Sequence, residues 1–259
     1  NTTADQVVIY NDPVVTGSSA RRYYPAGSLE KKTVVDADGN QLIVFLDLDG
    51  NTILERRSPG DTYFVYNKLG QLRYVLSPEY QNYENLGDFA YQYDYDTRGN
   101  LVRKTLPGCE YVQYWYDKEN HLVFEQDAQL RAKGLYRFYL YDGLGRVAVT
   151  GTCMHCRTNI QYAEARVNYT SSAGILNTGY DYSSSGMSDL VTSSGATVEK
   201  ICYYDNYSFL TGFYKADFDA IAPVQRGGAN GLPAGVVTRT TNGQLIFTVN
   251  GYDPKGNLT

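Results

Sequence analysis

Apolar and polar residues alternate along much of the chain with a period of two, which is typical of β-strands that bury one face. The alternation is clearest in the tyrosines of residues 91–95, 114–116 and 139–141. Gly, Asn and Asp, which favour turns, separate these short runs. The pattern predicts an all-β protein in which successive antiparallel hairpins form an extended, twisted sheet.

A short unit recurs where these runs end. It reads Tyr-Asp-x-x-Gly, followed by a polar residue and then Leu or Val. Copies that match it fully or in part begin at Tyr66, Tyr95, Tyr116, Tyr141, Tyr204 and Tyr252. The turn residues predicted with most support are Asn67, Gly70, Asp96, Gly99, Asp117, Asn120, Asp142, Gly145, Asp253 and Gly256. Self-similarity of this kind indicates a repeat architecture.

The unit has a direct geometric interpretation. Asp or Asn starts a type I turn, and the residue three positions later takes a left-handed conformation that forms a G1 bulge. Gly adopts that conformation without steric penalty, Asn120 is the next best choice, and Ser208 is poorer. The residue before Asp should then lie opposite the residue five after it. The expected pairs are Tyr66 with Leu72, Tyr95 with Leu101, Tyr116 with Leu122, Tyr141 with Val147, Tyr204 with Leu210 and Tyr252 with Leu258.

Two earlier segments resemble the unit but carry their apolar residue one position later. We interpret the Asp-Gly dipeptides at residues 38–39 and 49–50 as two-residue type I′ loops. The expected opposite pairs are then Val35 with Leu42 and Leu46 with Ile53.

The regularity of the repeat divides the chain into two continuous parts. Residues 1–151 form the predicted hairpin array. Residues 152–259 are richer in Gly and Ser and predict an irregular β region with two further divergent repeats. The return strand of the last repeat is cut short at Thr259, from which we expect the parent protein to continue.

Composition and charge narrow the classes of partner that this chain could bind. The chain has 26 Tyr and 25 Gly, and its net charge is -5. No basic face is available for a phosphate backbone, so nucleic acid is an unsuitable partner. No apolar run approaches the roughly 20 residues that cross a bilayer, which predicts a segment without a membrane span.

These residues resemble the YD-repeat, or RHS-repeat, family of large bacterial proteins, whose signature is the Tyr-Asp-x-x-Gly-Arg/Asn-Leu unit. The match is most specific over residues 91–151. The resemblance implies a spiral β-sheet that forms a shell around a toxic C-terminal cargo in a secreted or cell-surface protein. It implies a non-enzymatic scaffold without a cofactor, whose partners are adjacent repeats and the C-terminal region of the parent chain. The sequence contains no cargo domain, and Asp253-Pro254-Lys255-Gly256 is better explained as a repeat turn than as an autoproteolysis signature.

Chemically suggestive residues are few. Cys153 and Cys156 have the Cys-x-x-Cys spacing that can hold zinc or cycle as a dithiol, but structural or incidental cysteines are the favoured interpretation. The two histidines, His121 and His155, provide no Ser-His-Asp or Cys-His arrangement, so no catalytic residue is predicted. We interpret His121 as a solvated hairpin residue.

Two binding alternatives stay open. The best oxygen ligands for calcium are Asp36, Asp38, Asp47 and Asp49, although turn formation accounts for recurring Asp residues more simply. Exposed tyrosines could stack on sugars or anchor a protein ligand, which makes a carbohydrate- or protein-binding surface module the alternative function.

Overall fold

The computed structural model describes residues 1–17, 21–154, 160–170, 173–183, 191, 195–211, 216–217 and 229–258. Within these residues, fourteen strands form one antiparallel sheet whose order follows the chain, and two further strands pair separately. The prediction of an all-β fold made of successive antiparallel hairpins is therefore confirmed. The large sheet contains β1 Glu30–Val35, β2 Gln41–Leu46, β3 Thr52–Arg57, β4 Gly60–Tyr66, β5 Leu72–Leu76, β6 Ala90–Tyr95, β7 Leu101–Thr105, β8 Val112–Tyr116, β9 Leu122–Gln126, β10 Tyr136–Tyr141, β11 Val147–Cys153, β14 Thr197–Asp205, β15 Ala229–Arg239 and β16 Leu245–Val249. The separate pair is β12 Val167–Tyr169 with β13 Tyr180–Tyr182.

Helical elements are short and lie in connections between strands. The α-helices are α1 Tyr80–Tyr83, α2 Leu86–Phe89 and α3 Ala128–Ala132. Among the described residues, no helix has the length and apolar character that crossing a membrane would require.

The strand register agrees with several of the expected cross-strand pairs. Tyr66 lies opposite Leu72 and Tyr95 lies opposite Leu101. Tyr141 lies opposite Val147, and an isolated bridge joins Tyr252 to Leu258. The Asp-x-x-Gly spacing thus fixes which residues face each other at these turns.

The expectation for the two early copies is wrong. Val35 lies opposite Gln41 and not Leu42, while Leu46 lies opposite Thr52 and not Ile53. Both copies form the same longer turn as the later ones, because Gly39 and Gly50 have positive φ (+84°) while the Asp before each, which a type I′ loop would also place at positive φ, does not. The Gly three residues after Asp36, and likewise after Asp47, therefore decides the turn type. It outweighs the apolar spacing and the Asp-Gly dipeptide, which suggested a two-residue loop.

The expected pair of Tyr204 with Leu210 is also wrong. Tyr204 lies opposite Pro233 in β15, and Ser208–Thr211 form a 3-10 turn. Ser208 does not occupy a left-handed glycine position, since the positive φ in this region belongs to Asp205. A long connection therefore replaces the short turn in this copy.

Packing divides the chain into two units, Asn1–Gln113 and Tyr114–Thr259. The boundary predicted at residue 151 rests on the regularity of the repeat, which the division by packing does not test. That boundary therefore stays a prediction. Within the first unit, strands β2 to β6 and the N-terminal segment share a buried apolar cluster. Its largest fully buried side chains are Tyr80, Phe45, Leu54 and Leu76.

The second unit has its own buried cluster, formed by strands β9 to β11, β14 and β15 and by the segments that cover them. Aromatic stacking organises its centre. The Tyr203 ring stacks on Tyr180 at 5.7 Å and on Phe209 at 4.7 Å between centroids. Buried rings of this size dominate the energetics of a core.

Candidate functional site

The recurring feature of this molecule is the repeat turn, and we number its residues from position 0, usually Tyr, through position 1, Asp or Asn, to position 6. In seven of the described copies the position 1 N–H donates to the position 5 carbonyl oxygen at 2.9–3.0 Å. The position 4 N–H donates to the position 1 carbonyl oxygen at 2.9–3.2 Å. Copies with this geometry have position 1 at Asp36, Asp47, Asn67, Asp96, Asp117, Asp142 and Asp253.

The side chain at position 1 explains why Asp or Asn recurs there. In every copy its Oδ1 accepts hydrogen bonds from the N–H groups of positions 3 and 5 at 2.8–3.0 Å. In the Asp36 copy, Asn40 Nδ2 also donates to Oδ2 at 2.9 Å. The bond from Asn40 lowers the pKa of Asp36. The carboxylate thus satisfies backbone donors that the sharp turn leaves without partners.

The residue at position 4 takes positive φ in each of these copies. Gly99 has φ +87° and Gly145 has φ +76°, and Asn120 adopts φ +66° in the copy that lacks Gly. A side chain other than Asn or Asp is strained in this region, which accounts for the residue types at this position.

The tyrosine at position 0 makes a bond between repeats that the sequence did not reveal. At five copies its hydroxyl donates to a carbonyl oxygen in the return strand of an earlier repeat. We call this the inter-repeat bond. It joins Tyr66 to Thr52 at 3.2 Å, Tyr95 to Leu72 at 2.9 Å, Tyr141 to Leu122 at 2.6 Å, Tyr204 to Val147 at 2.8 Å and Tyr252 to Pro233 at 2.7 Å.

A register shift accompanies these bonds. The pairing slips by one residue immediately before position 0 at Leu46, Tyr66, Tyr95, Tyr141 and Tyr204. A bulge interrupts the regular ladder of backbone hydrogen bonds. The tyrosine hydroxyl therefore reaches a carbonyl oxygen at a point where the ladder is irregular, which gives Tyr a role that Phe cannot fill.

Sequence reasoning also missed one repeat turn. Thr240 N–H donates to Gln244 O at 2.8 Å, and Gly243 N–H donates to Thr240 O at 2.9 Å, between β15 and β16. Gly243 at position 4 and Leu245 at position 6 could have identified it. Thr at position 1 and Arg at position 0 conceal the copy.

Arg146, at position 5, connects its own turn to β14. Its guanidinium donates to both oxygens of Asp205, at 2.8 and 2.5 Å, and to Asp142 Oδ2 at 2.7 Å. The same group lies over the Tyr204 ring at 4.2 Å. The hydrogen bond from Arg146 lowers the pKa of Asp205 to about 2.

The Asp117 turn differs from the others because a segment of chain, residues 163–166, covers it. Ala165 N–H donates to Asp117 Oδ2 at 3.2 Å, and Asp117 is fully buried. Arg166 donates to Glu119 Oε2 from Nη2 at 2.6 Å and from Nε at 2.9 Å. We call residues 163–166 the covering segment.

His121 lies in the hairpin turn as expected, at position 5, but its side chain is less solvated than the sequence suggested. Its side chain is 25% exposed, and its ring stacks on Tyr141 with centroids 4.6 Å apart. Its Nδ1 lies 3.3 Å from Asp117 Oδ2 and 3.8 Å from Glu119 Oε2. Packing against the next tyrosine, which the hairpin pattern does not show, covers part of the imidazole.

Asp117, Glu119 and His121 are the only cluster in the described ranges whose side chains could together hold a metal ion. The Arg166 guanidinium already neutralises Glu119, and Asp117 accepts backbone hydrogen bonds with both oxygens. A divalent cation would have to displace these donors. The arrangement fits an ion-pair network better than a metal centre.

The Cys-x-x-Cys pair, for which zinc and dithiol chemistry were the less favoured alternatives, is only partly described. Cys153 is buried at the end of β11, whereas His155 and Cys156 lie outside the described residues. Cys202 is buried and Cys109 is exposed. The role of Cys153 and Cys156 stays a prediction.

The chain has similar solved structures but no matching family model. No protein-family model matches the sequence, and no curated protein matches it. Among solved structures, the chain is similar to TcdB2-TccC3, with 12% identity and a TM-score of 0.43 over 85% of this chain and 11% of that chain. It is similar to TcdB2-TccC3 without its hypervariable C-terminal region, with 11% identity and a TM-score of 0.43 over 85% of this chain and 10% of that chain. For TcdB2-TccC3-TEV the identity is 11% and the TM-score 0.40, over 97% of this chain and 14% of that chain. The chain spans about a tenth to a seventh of the length of these proteins.

Proposed function

We propose that this chain is a non-enzymatic structural segment of a large bacterial YD-repeat protein, in which it forms part of a wall or scaffold. The observation that carries the proposal is the inter-repeat bond, which recurs at five tyrosines from Tyr66 to Tyr252. Each bond joins one hairpin to the hairpin before it. The recurring tyrosine therefore serves to hold successive hairpins together in one sheet.

The use of the carboxylates supports a structural role. The seven Asp or Asn residues at position 1 all accept hydrogen bonds within their own turns. Paired carboxylates for acid–base catalysis need one member held ready for protonation beside a substrate. These side chains instead complete the turn backbone, which favours a scaffold over an enzyme.

The parent protein is proposed to be secreted or exposed at the cell surface, and the wall to enclose or present a C-terminal toxin or effector. This part of the proposal comes from the Tyr-Asp-x-x-Gly unit and its resemblance to the YD-repeat family. The fold is compatible with it, because a sheet of successive hairpins can be extended by more copies of the same unit.

The test is to express the complete natural gene product and to image it by cryo-electron microscopy. We expect further Tyr-Asp units outside residues 1–259, continuous with this sheet, and an export signal. Protease protection of the C-terminal region, lost when several position 4 glycines are replaced, would support enclosure. A complete protein without further repeats, or with a catalytic site built from the position 1 residues, would contradict the proposal.

A further inference from the structure

A cleft in the first unit lies beside the repeat turn at residues 47–51. Its volume is about 430 Å³. The N-terminal segment around Tyr10 forms one side, and the turns that start at Asp47 and Asn67 contribute to the other. This size is within the range of roughly 300–1,000 Å³ that ligand sites occupy. We call it the acidic cleft.

The charge of the acidic cleft is negative. Asp12, Asp47 and Asp49 line it, against the single ammonium group of Lys68. Asp12 already accepts a hydrogen bond from Arg73 Nε at 3.2 Å. An anionic ligand would meet this field unfavourably, whereas a cationic ligand complements it.

Tyr24 and Tyr66 line the same cleft as Asp47. Burial, and secondarily the charge of Asp47, raises the pKa of Tyr24 and of Tyr66. The Tyr66 hydroxyl is held by its inter-repeat bond to Thr52. A guanidinium group bound here would have carboxylates and tyrosine side chains among its neighbours.

The second unit shows how the same type of turn binds a peptide segment. At the Asp117 turn, the covering segment donates its Ala165 N–H to Asp117 Oδ2 and its Arg166 guanidinium to Glu119 at position 3. The Asp47 turn has the same two acceptors, since Asp47 stands at position 1 and Asp49 at position 3, and Asp47 Oδ2 also accepts from Asn51 Nδ2 at 3.0 Å. Asp49 is exposed, and within the described ranges no cation lies at ion-pair distance from it.

We propose that the acidic cleft binds an extended peptide segment of a partner protein that carries an arginine. A backbone N–H of the peptide donates to Asp47 Oδ2, and the arginine donates two hydrogen bonds to the Asp49 carboxylate. The covering segment makes the equivalent bonds at the Asp117 turn. This site goes beyond the wall role, which stands on the inter-repeat bonds and does not require it.

The chain supplies its own probe, a synthetic peptide of residues 160–170, labelled for fluorescence anisotropy and titrated with the whole protein. We expect saturable binding that Asp49→Asn weakens roughly threefold to tenfold, as loss of a charge-assisted bond should do. The matched control is Asp38→Asn, because Asp38 occupies position 3 of the neighbouring turn but does not line the cleft. A peptide with Gln in place of Arg166 should lose affinity for the unaltered protein by a similar factor.

Further variants and a second ligand separate the competing outcomes. If Glu119→Gln abolishes binding and Asp49→Asn does not, the peptide has exchanged with the covering segment and the proposal is wrong. Equal affinity of all protein variants, or saturable binding of a neutral oligosaccharide without peptide binding, also overturns it. Circular dichroism of each variant checks that the sheet is intact.

Discussion

The repeat turns at Asp47 and Asp117 share one backbone geometry but have different surroundings. Both position 1 side chains accept the N–H groups of positions 3 and 5 through Oδ1. The Asp117 carboxylate is fully buried because the covering segment lies over it. The Asp47 carboxylate instead borders the acidic cleft.

This difference separates two tasks of the position 1 residue. Oδ1 closes the turn in both copies, so it is needed wherever a hairpin forms. Oδ2 accepts from the position 5 side chain, as from Asn51 at the Asp47 turn and from Arg146 at the Asp142 turn, and at the Asp117 turn it accepts the Ala165 N–H of the covering segment. One oxygen therefore closes the turn backbone, and the other is available to a side chain of the turn or to a segment that lies over it.

The largest effect is expected from Asp117→Ala. Removal of its buried carboxylate leaves three backbone N–H groups without their acceptor, that of Ala165 in a buried bond and those of Glu119 and His121 in partly buried bonds. A buried group that loses its partner costs about 1–3 kcal/mol and the two partly buried groups add to that cost, so we expect a loss of about 3 kcal/mol in the free energy of unfolding. Urea unfolding followed by fluorescence of Trp115, the single tryptophan, measures it in the second unit.

The matched variant is Asp47→Ala in the first unit. Its two released N–H groups border a cleft that water can enter, so we expect a loss of only about 1 kcal/mol. Hydrogen exchange of the amides of positions 3 and 5 compares the two turns directly. Equal losses in both variants would show that the covering segment does not distinguish the turns.

The second prediction concerns position 4. Gly145→Val and Gly99→Val both force a β-branched residue into positive φ, at a cost of about 1–3 kcal/mol. We expect the larger loss for Gly145→Val, because a Cβ there would lie 3.1 Å from His121 Nε2. At Gly99 the nearest atom is Gln71 Nε2 at 3.4 Å. An unchanged melting temperature for both variants would contradict the turn assignment.

The third prediction removes an inter-repeat bond. Tyr141→Phe keeps the ring against His121 but deletes the hydroxyl that donates to Leu122 O at 2.6 Å. We expect a loss of about 1 kcal/mol, the typical net value of one hydrogen bond. Tyr95→Phe should lose a similar amount through its bond to Leu72. The control is Tyr91→Phe on an exposed side chain, and a loss as large as that of Tyr141→Phe would contradict the role of the bond.

The sequence predicts the turns well because their cause is local. Asp at position 1 and Gly at position 4 act within five residues, so hairpins and most opposite pairs follow from spacing alone. The errors at Val35 and Leu46 arose where apolar spacing and Gly position disagreed, and Gly position decided the turn. Local chemistry outweighs hydrophobic pattern at a loop of this length.

The sequence does not predict what lies against the turns. The covering segment is more than 40 residues from Asp117 along the chain, and Pro233 replaces Leu210 opposite Tyr204 after a long connection. Tertiary contacts of this kind leave no periodic signal. The inter-repeat bond is an intermediate case, since the recurrence of Tyr was visible but packing alone seemed to account for it.

The smallest effect is expected from acid acting on the two carboxyl groups whose pKa is lowered to about 2, Asp5 in the first unit and Asp205 in the second. The hydrogen bond from Lys31 is the main cause for Asp5, and that from Arg146 for Asp205. Because the pKa of each carboxyl group in the folded protein lies below its ordinary value of about 3.8, the ionised form stabilises the fold above that pH. This stabilisation is lost as the pH falls from about 3.8 to about 2.

The stability difference between the unaltered protein and Asp205→Asn should therefore be present near pH 6 and shrink toward about pH 2. Asp5→Asn should behave alike in the first unit, where Lys31 makes a single contact at 2.7 Å instead of the paired contacts of Arg146. Urea unfolding at several pH values, with hydrogen exchange to assign each unit, measures both. A difference that stays constant across this range would mean that packing of the side chains, and not their charge, stabilises these two contacts.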